Sequence, residues 1–188
     1  MDKKTILLAI CMLVALFSGC QTEKDNQPNV LEVSDLQPDT NVGVGTYLNY
    51  VDEKLLVFQA EFGLFGFDLE KNEVRFSFDL QKAIGTTNFQ GTEDVAIVNV
   101  SSDGTQIEVY SSAKPDTAYY IRTSDGSYEK TNRQKFEDVF DVESDNNVWG
   151  DLFSENSSGA VGTVMDIQFR RENKVWKIFE DYDFAETK

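Results

Sequence analysis

Apolar and polar positions alternate along most of the chain beyond residue 45. Residues 55–62 form a largely apolar run, and residues 64–69 then place Phe, Phe and Leu at every second position. A polar segment at 70–73 separates them from residues 74–80, which alternate in the same way. Alternating runs joined by a short polar turn are typical of β-hairpins, so we expect consecutive antiparallel strands here.

Two further hairpins are predicted around Ser-Asp-Gly turns at residues 102–104 and 124–126. Glycine supplies the positive φ of such a turn, and aspartate hydrogen-bonds the turn backbone. Alternate residues of a strand share one face. The residues expected on one face are Val95, Ile97, Asn99, Ile107 and Val109 in the first hairpin, and Tyr119, Ile121, Thr123 and Tyr128 in the second.

The last hairpin is expected at residues 161–169 and 175–179, which alternate on either side of Glu172-Asn173. Only residues 133–142 have helical spacing, with Phe136, Val139 and Phe140 on one side. These patterns predict an all-β domain of consecutive antiparallel hairpins with one short helix.

Two architectures fit these hairpins. The Ser-Asp-Gly turns lie 22 residues apart, each between strands, which suggests a degenerate repeat. Hairpins of this kind occur in β-propeller blades of about 40–45 residues, and a closed propeller has about four to eight blades. Residues 45–188 have room for fewer. We therefore expect an open, propeller-like fan of about three blades or a two-sheet sandwich.

The N-terminus has the pattern of an export signal. Two lysines precede an uninterrupted apolar run at residues 6–17, and a serine and a glycine follow. A positive start, an apolar core of about 7–15 residues and a small-residue cleavage site are typical of a secretory signal peptide. We expect residues 1–19 to be this signal, with cleavage between Gly19 and Cys20.

Residues 15–20 resemble the lipobox of bacterial lipoproteins, although Phe17 stands where leucine is most common. Cys20 is then expected to carry the lipid, and several acyl chains such as palmitate hold a protein on a membrane durably. The polar residues 20–44 form a tether, and residues 45–188 form the β-domain. This places the protein in the cell envelope, lipid-anchored on the extracytoplasmic side of a bacterial membrane. An ordinary secreted protein is the alternative.

The composition excludes several functions. The chain has 33 acidic and 17 basic residues and a net charge of −16, which repels the phosphate backbone of nucleic acids. It has no histidine, which excludes histidine-based catalysis and histidine-ligated metal sites. Of its two cysteines, Cys11 leaves with the signal and Cys20 is acylated. We expect no enzyme activity, no cofactor and no bound metal.

Aromatic rings with a polar tip are the candidate ligand site. Tyr and Trp tolerate one wet end, and exposed rings stack on sugars. The alternating phenylalanines are assigned to the core: Phe65, Phe67, Phe76 and Phe78. The possible ligand platform consists of Tyr119, Tyr120, Tyr128, Trp149 and Trp176. A hydrolase that uses two carboxylates about 5–10 Å apart, one with a raised pKa, is an alternative.

Two short motifs are interpreted as structural. Ser111 and Lys114 match Ser-x-x-Lys, but that nucleophile motif needs a helix start, and here it precedes Pro115. Residues 141–147 carry oxygen ligands at alternate positions, as a calcium loop does. An EF-hand has glutamate at its twelfth position, where this chain has Leu152, so a solvated acidic loop is the better interpretation.

Several segments resemble a small extracytoplasmic domain of bacterial lipoproteins: residues 58–69, Ile84-Gly85, Gln90-Gly91 and residues 98–104. That domain also occurs attached to membrane metalloproteases of the β-lactam-sensor type. The similarity covers roughly residues 49–130 and rests mostly on glycines and aromatic residues. It implies a propeller-like β-domain with a sensing or interaction role at the envelope. The zinc-binding histidines of the metalloprotease part are absent from this chain.

These observations predict an envelope lipoprotein whose β-domain serves in protein interaction or sensing, without catalysis. The expected partners are the membrane, through the N-terminal lipid, and an envelope protein. A module that binds a glycan or a cell-wall fragment is the alternative, and a carboxylate-dependent hydrolase is a weaker one.

Overall fold

The computed structural model describes residues 46–60, 63–86, 93–142, 150–156 and 165–182. The predicted signal peptide, lipid-bearing cysteine and tether lie outside these ranges. Within them the chain forms 11 strands and one short helix, which confirms the all-β fold class. No helix in the described part is long and apolar enough to cross a membrane.

The strands form three sheets, each an antiparallel meander in which neighbours in space are neighbours in the chain. Sheet 1 contains β1 (Tyr47–Val51), β2 (Leu55–Ala60), β3 (Gly63–Asp68) and β4 (Glu73–Phe78). Sheet 2 contains β5 (Ala96–Val100), β6 (Gln106–Ser111), β7 (Lys114–Arg122) and β8 (Tyr128–Asn132). Sheet 3 contains β9 (Asp151–Asn156), β10 (Met165–Arg171) and β11 (Lys174–Tyr182).

Sheet 1 is the middle layer of a three-layer stack. Its strands β2 and β3 are buried along their whole length, as expected of strands that are covered on both faces. One face packs against sheet 3 and the other against sheet 2, so sheet 1 separates two hydrophobic cores. The described chain therefore has the three stacked sheets of the predicted fan and not the two sheets of a sandwich.

Alternation along the strands assigns each side chain of sheet 1 to one core. The core toward sheet 3 contains Val51, Leu56, Phe58, Ala60, Phe65, Phe67, Leu69, Ile167, Phe169, Trp176 and Ile178. The core toward sheet 2 contains Tyr50, Leu55, Val57, Leu64, Phe76, Phe78, Leu80, Ala96, Val100, Ile107, Val109, Tyr119 and Ile121. The four phenylalanines that their spacing assigned to the core are confirmed there.

The predicted helix at residues 133–142 is wrong. The short helix is α1 (Leu80–Ile84), which Asp79 caps by accepting the amide of Lys82 at 2.8 Å. Residues 133–141, which we name the strap, have no helical structure and run across sheet 2. In the strap, Val139 forms an isolated antiparallel bridge with Ser101.

Two rings of the strap explain why its spacing was misleading. Phe136 packs against Tyr120 on the outer face of sheet 2, the face turned away from sheet 1, with ring centroids 5.9 Å apart. Phe140 packs against Tyr50 at 4.7 Å, at the core between sheets 1 and 2. A helix would hold both rings on one side, so the strap must stay extended to reach both faces.

The face predicted for β5 is also wrong. Ala96 and Val100 lie in the core, and the predicted set, Val95, Ile97 and Asn99, alternates with them. β5 carries apolar residues on both of its faces, so alternation alone does not decide which face is buried.

Replacing Phe169 is expected to show whether sheet 3 is held on sheet 1. Phe169→Ala should lower the free energy of unfolding by about 3–5 kcal/mol, because the ring is fully buried between the two sheets. Val175 on the neighbouring strand is 43% exposed, so Val175→Ala should cost about 0.5 kcal/mol or less. Chemical denaturation measures both, and equal losses would contradict the stacking.

Two turn glycines bring the hairpin tips of sheet 2 against sheet 1. Gly104 has a φ of +69°, and a Cβ added there would lie 2.3 Å from the ring of Tyr50. Gly126 has a φ of +71°, and its added Cβ would lie 2.5 Å from Cβ of Phe76. Positive φ and close approach both require glycine at these positions.

Gly104→Ala is expected to destabilise the protein more than Gly85→Ala. Gly85 has a φ of +79° and nothing within 4 Å of an added Cβ, so alanine there meets only the left-handed backbone penalty of about 1–2 kcal/mol. At Gly104 the Cβ also collides with Tyr50, which adds about 1–3 kcal/mol. Thermal denaturation of the two variants measures the difference, and its absence would mean that the tip does not rest on Tyr50.

Candidate functional site

The outer face of sheet 2 carries a row of polar side chains. Strand register places Asn99, Glu108, Tyr120 and Glu129 opposite one another on β5, β6, β7 and β8. Their sequence neighbours, such as Ile107, point into the core because side chains alternate along a strand. The polar row therefore crosses all four strands of the sheet.

Glu108 lies within this row, and its side chain is fully buried. Its Oε2 accepts a hydrogen bond from Nδ2 of Asn99 at 2.7 Å, and its Oε1 accepts one from Nε of Arg133 at 2.9 Å. The bond to Glu108 raises the pKa of the Arg133 guanidinium above its ordinary value. A buried charge is tolerated only when it is paired and hydrogen-bonded, and Arg133 of the strap supplies the partner for Glu108.

Tyr120 fastens the strap beside this ion pair. Its hydroxyl donates to the carbonyl of Gln134 at 2.7 Å and accepts the amide of the same residue at 2.5 Å. It also lies 3.3 Å from Oε1 of Glu108, and burial raises the pKa of the phenol. Farther along the strap, Asp138 accepts a hydrogen bond from the hydroxyl of Ser102 at 2.5 Å. The strap is thus tied to β7 and to a hairpin tip.

A groove lies on the outer face beside the strap. Its main part has a volume of about 790 Å³ and is lined by residues that include Gln106, Tyr120, Arg122, Ser124, Ser127 and Glu129. A second part of about 240 Å³ shares Gln106, Tyr120 and Glu129 and continues along residues 134–137 of the strap. Hydroxyl, amide and charged groups thus line the groove and can hydrogen-bond a polar ligand.

Of the rings predicted as a ligand platform, Tyr119 and Trp176 are buried and Tyr128 is half-buried. Tyr119 packs against Phe78 at 5.4 Å in the core between sheets 1 and 2, and half-buried Tyr128 lies 5.6 Å from the same ring. Trp176 lies in the other core, where its Nε1 donates to the carbonyl of Leu69 at 3.0 Å. These rings are distributed over two cores and present no shared exposed surface.

The remaining platform residues divide between the groove and the part that is not described. Tyr120 borders the groove, but only 4% of its surface is exposed. Tyr128 also borders the groove, whereas Trp149 lies outside the described residues. The prediction took the polar tips of Tyr and Trp as a sign of exposure. Tyr120 and Trp176 find hydrogen-bond partners inside the protein, so their rings can be buried.

Four carboxyl groups of the described chain have pKa values shifted by their hydrogen bonds. A hydrogen bond from Arg75 holds the pKa of Asp68 at about 2. Hydrogen bonds likewise lower the pKa values of three further carboxyls, those of Asp94, Asp103 and Asp125. In all four, hydrogen bonds favour the ionised form of the carboxyl group.

Of the two short motifs, the structure describes Ser-x-x-Lys completely and the acidic segment only in part. Ser111 ends β6 and donates to Asp94 at 2.7 Å, and Lys114 begins β7, so Ser-x-x-Lys spans a hairpin turn and not a helix start. Most of the acidic segment 141–147 lies outside the described residues. Among those described, no group of three or more His, Cys, Asp or Glu side chains is arranged to hold a metal ion.

Sequence reasoning did not single out Glu108 or Arg133. A signal for Glu108 was present, because residues 106–110 read Gln-Ile-Glu-Val-Tyr and place the acid on the face opposite two apolar residues. An acid in the middle of a central strand needs a partner. The partner is 25 residues away in an irregular segment, and no local pattern identifies it.

Tyr120→Phe is expected to loosen the strap. The change removes the hydroxyl that pairs with Gln134 and should cost about 1–3 kcal/mol. Hydrogen exchange should become faster at the amides of Gln134 and of Phe140, which bonds the carbonyl of Val100 at 2.9 Å. Tyr110→Phe is the matched control, and in this variant the amides of Gln134 and Phe140 should exchange as in the unmodified protein. Unchanged exchange in both variants would mean that Tyr120 does not hold the strap.

No protein-family model matches the chain, and no match is found among curated proteins or solved structures. The function must therefore be argued from the residues and contacts of this chain.

Proposed function

We propose that the protein is a non-catalytic envelope lipoprotein whose β-domain binds a protein partner through the groove on the outer face of sheet 2. The observation that carries this proposal is the groove itself. The inner face of sheet 2 and both faces of sheet 1 are committed to the two cores. The outer face of sheet 2 instead presents a concave, polar surface to solvent.

The open edge of sheet 2 favours an extended peptide segment as the ligand. Within the described chain, β8 pairs with β7 on one side and is the edge strand on the other. Its Glu129 borders the groove. An edge strand offers backbone N–H and C=O groups to an added strand, while a neighbouring groove can select side chains.

The N-terminal sequence supports the cellular location in this proposal. Residues 1–19 have the pattern of an export signal, and Cys20 is the expected lipid attachment site. Residues 20–44 are the expected tether between this anchor and the β-domain. The groove would then meet partners close to the membrane surface.

A glycan or a cell-wall fragment is the second candidate ligand. Ser124, Ser127 and Gln106 in the groove provide the hydroxyl and amide groups that hydrogen-bond a sugar. Stacking platforms for sugars need exposed rings, and Tyr119, Tyr120 and Trp176 are buried. We therefore place the protein partner first.

Site-specific photocrosslinking in cells tests the proposal. A photoreactive residue at Glu129, with Cys20 intact, is expected to crosslink one envelope protein, and Arg122→Ala should reduce that crosslink about tenfold, as loss of an interface hot spot does. The matched control carries the photoreactive residue at Glu70, whose side chain is 64% exposed on sheet 1, with Lys54→Ala.

The outcomes separate the candidate ligands. One crosslinked protein at Glu129 and none at Glu70 supports the proposal, and its loss in Cys20→Ala supports the anchored location. Equal products at both positions contradict the groove as the binding surface. Binding of purified peptidoglycan fragments or glycans that Arg122→Ala weakens, without a protein crosslink, would establish the second candidate instead.

A further inference from the structure

Asn99, Glu108 and Tyr110 form a site that holds a planar cation, and we name this site the Glu108 receptor. The fully buried carboxylate provides the negative charge, and Asn99 fixes its orientation through the 2.7 Å bond to Oε2. The ring of Tyr110, two residues along β6, forms one wall. A guanidinium can pair with the carboxylate and at the same time stack on the ring, because it is planar and keeps a face available.

In this structure the receptor is filled by the chain's own Arg133. Its Nε donates to Glu108 at 2.9 Å, and its Cζ lies 3.8 Å from the centroid of the Tyr110 ring. The side chain is 25% exposed, and the groove lies next to the pair at Tyr120, whose hydroxyl is 3.3 Å from Oε1 of Glu108. Arg133 comes from the strap, outside the strands that build the receptor. Arg133 therefore contacts the receptor as a ligand would, because the residues that form the receptor all lie on β5 and β6.

The strap contributes few contacts of its own to the cores. Gln134 and Lys135 are exposed, and Val139 exposes 41% of its surface although it is apolar. The strap is held by hydrogen bonds at its two ends, by the Arg133 ion pair, and by the half-buried rings of Phe136 and Phe140. Segments with few buried apolar contacts open at low free-energy cost compared with the core.

We infer that the Glu108 receptor is a binding site for an arginine side chain of the partner, and that Arg133 is an internal competitor which the partner's arginine displaces. This inference rests on the proposed partner-binding function of the groove. It adds the chemistry of the partner, a basic segment with an arginine, and a regulatory element, the strap.

The charge of the chain agrees with a basic partner. Its net charge is −16, and the groove is lined by the exposed acids Glu129 and Glu137 alongside Arg122 and Lys135. A field of this sign attracts cationic segments and raises their association rate. Arginine is favoured over lysine because lysine carries a strongly hydrated point charge that cannot stack as a plane on Tyr110.

The first experiment tests whether the Glu108 receptor binds an arginine side chain once Arg133 has been removed. The full chain with Arg133→Ala is titrated with acetyl-Gly-Arg-Gly-amide while its thermal midpoint is recorded. We expect a saturable rise of the midpoint, because a ligand that binds only the folded state stabilises it. Acetyl-Gly-Lys-Gly-amide should raise it less, and Arg133→Ala combined with Glu108→Gln should not respond.

Arg170→Ala is the matched control. Arg170 lies on sheet 3 with its Cζ 5.0 Å from the ring centroid of Phe153, so its removal also vacates a cation–π contact, at an exposed position. If Arg133→Ala responds to the arginine peptide no more than Arg170→Ala does, the inference is overturned. If Arg133→Ala does not fold alone, recovery of β-sheet circular dichroism by the arginine peptide supports the site, and failure to recover overturns it.

Partner capture separates this inference from the proposed function. Once the crosslinked partner is known, removal of the internal competitor by Arg133→Ala should tighten its binding about tenfold, within the usual range of coupling between sites. Unchanged or weaker binding, with Arg122→Ala still impairing capture, would overturn the inference and leave the groove function standing. A peptide response without any captured partner would support the arginine receptor while contradicting the proposed function.

Discussion

The fold depends on a sheet that is hydrophobic on both faces. Every residue of β2 and β3 is buried, so sheet 1 is not stable with solvent on either side. Sheets 2 and 3 are the two covers, and each has one apolar face toward sheet 1. The same constraint determines where polar chemistry can lie, because only the outer faces of the stack remain free for it.

On one of these outer faces the protein buries a charge. Glu108 has no exposed side-chain surface, yet it lies on the side of sheet 2 that no sheet of the described chain covers. The strap supplies the cover, and Arg133 supplies the counter-charge. An acid placed this way costs stability unless it is paired, so its position on the sheet depends on the strap.

The sequence identified elements whose signals are local. The turns at Gly104 and Gly126 and the hairpin from β3 to β4 follow from period-two alternation and from turn chemistry within a few residues.

β1 and β9 were missed because their runs are short and bordered by polar segments. The strap was misread as a helix because Phe136 and Phe140 are spaced like helical neighbours, although their partners lie on opposite faces of sheet 2. Which tyrosines are buried, and which cation meets Glu108, depends on contacts between distant segments, and no local pattern records these.

The order of the layers has a consequence for how the chain is made. Sheet 3 is synthesised last but covers the sheet that is synthesised first, and the bond from Trp176 to Leu69 closes a separation of 107 residues. Until β10 and β11 arrive, the face with Phe58, Phe65 and Phe67 has no cover. Contacts this distant in sequence form slowly, and a nascent chain with an open apolar β-surface is prone to aggregate. A chain that stalls or is clipped before β10 would therefore expose this apolar face to its surroundings.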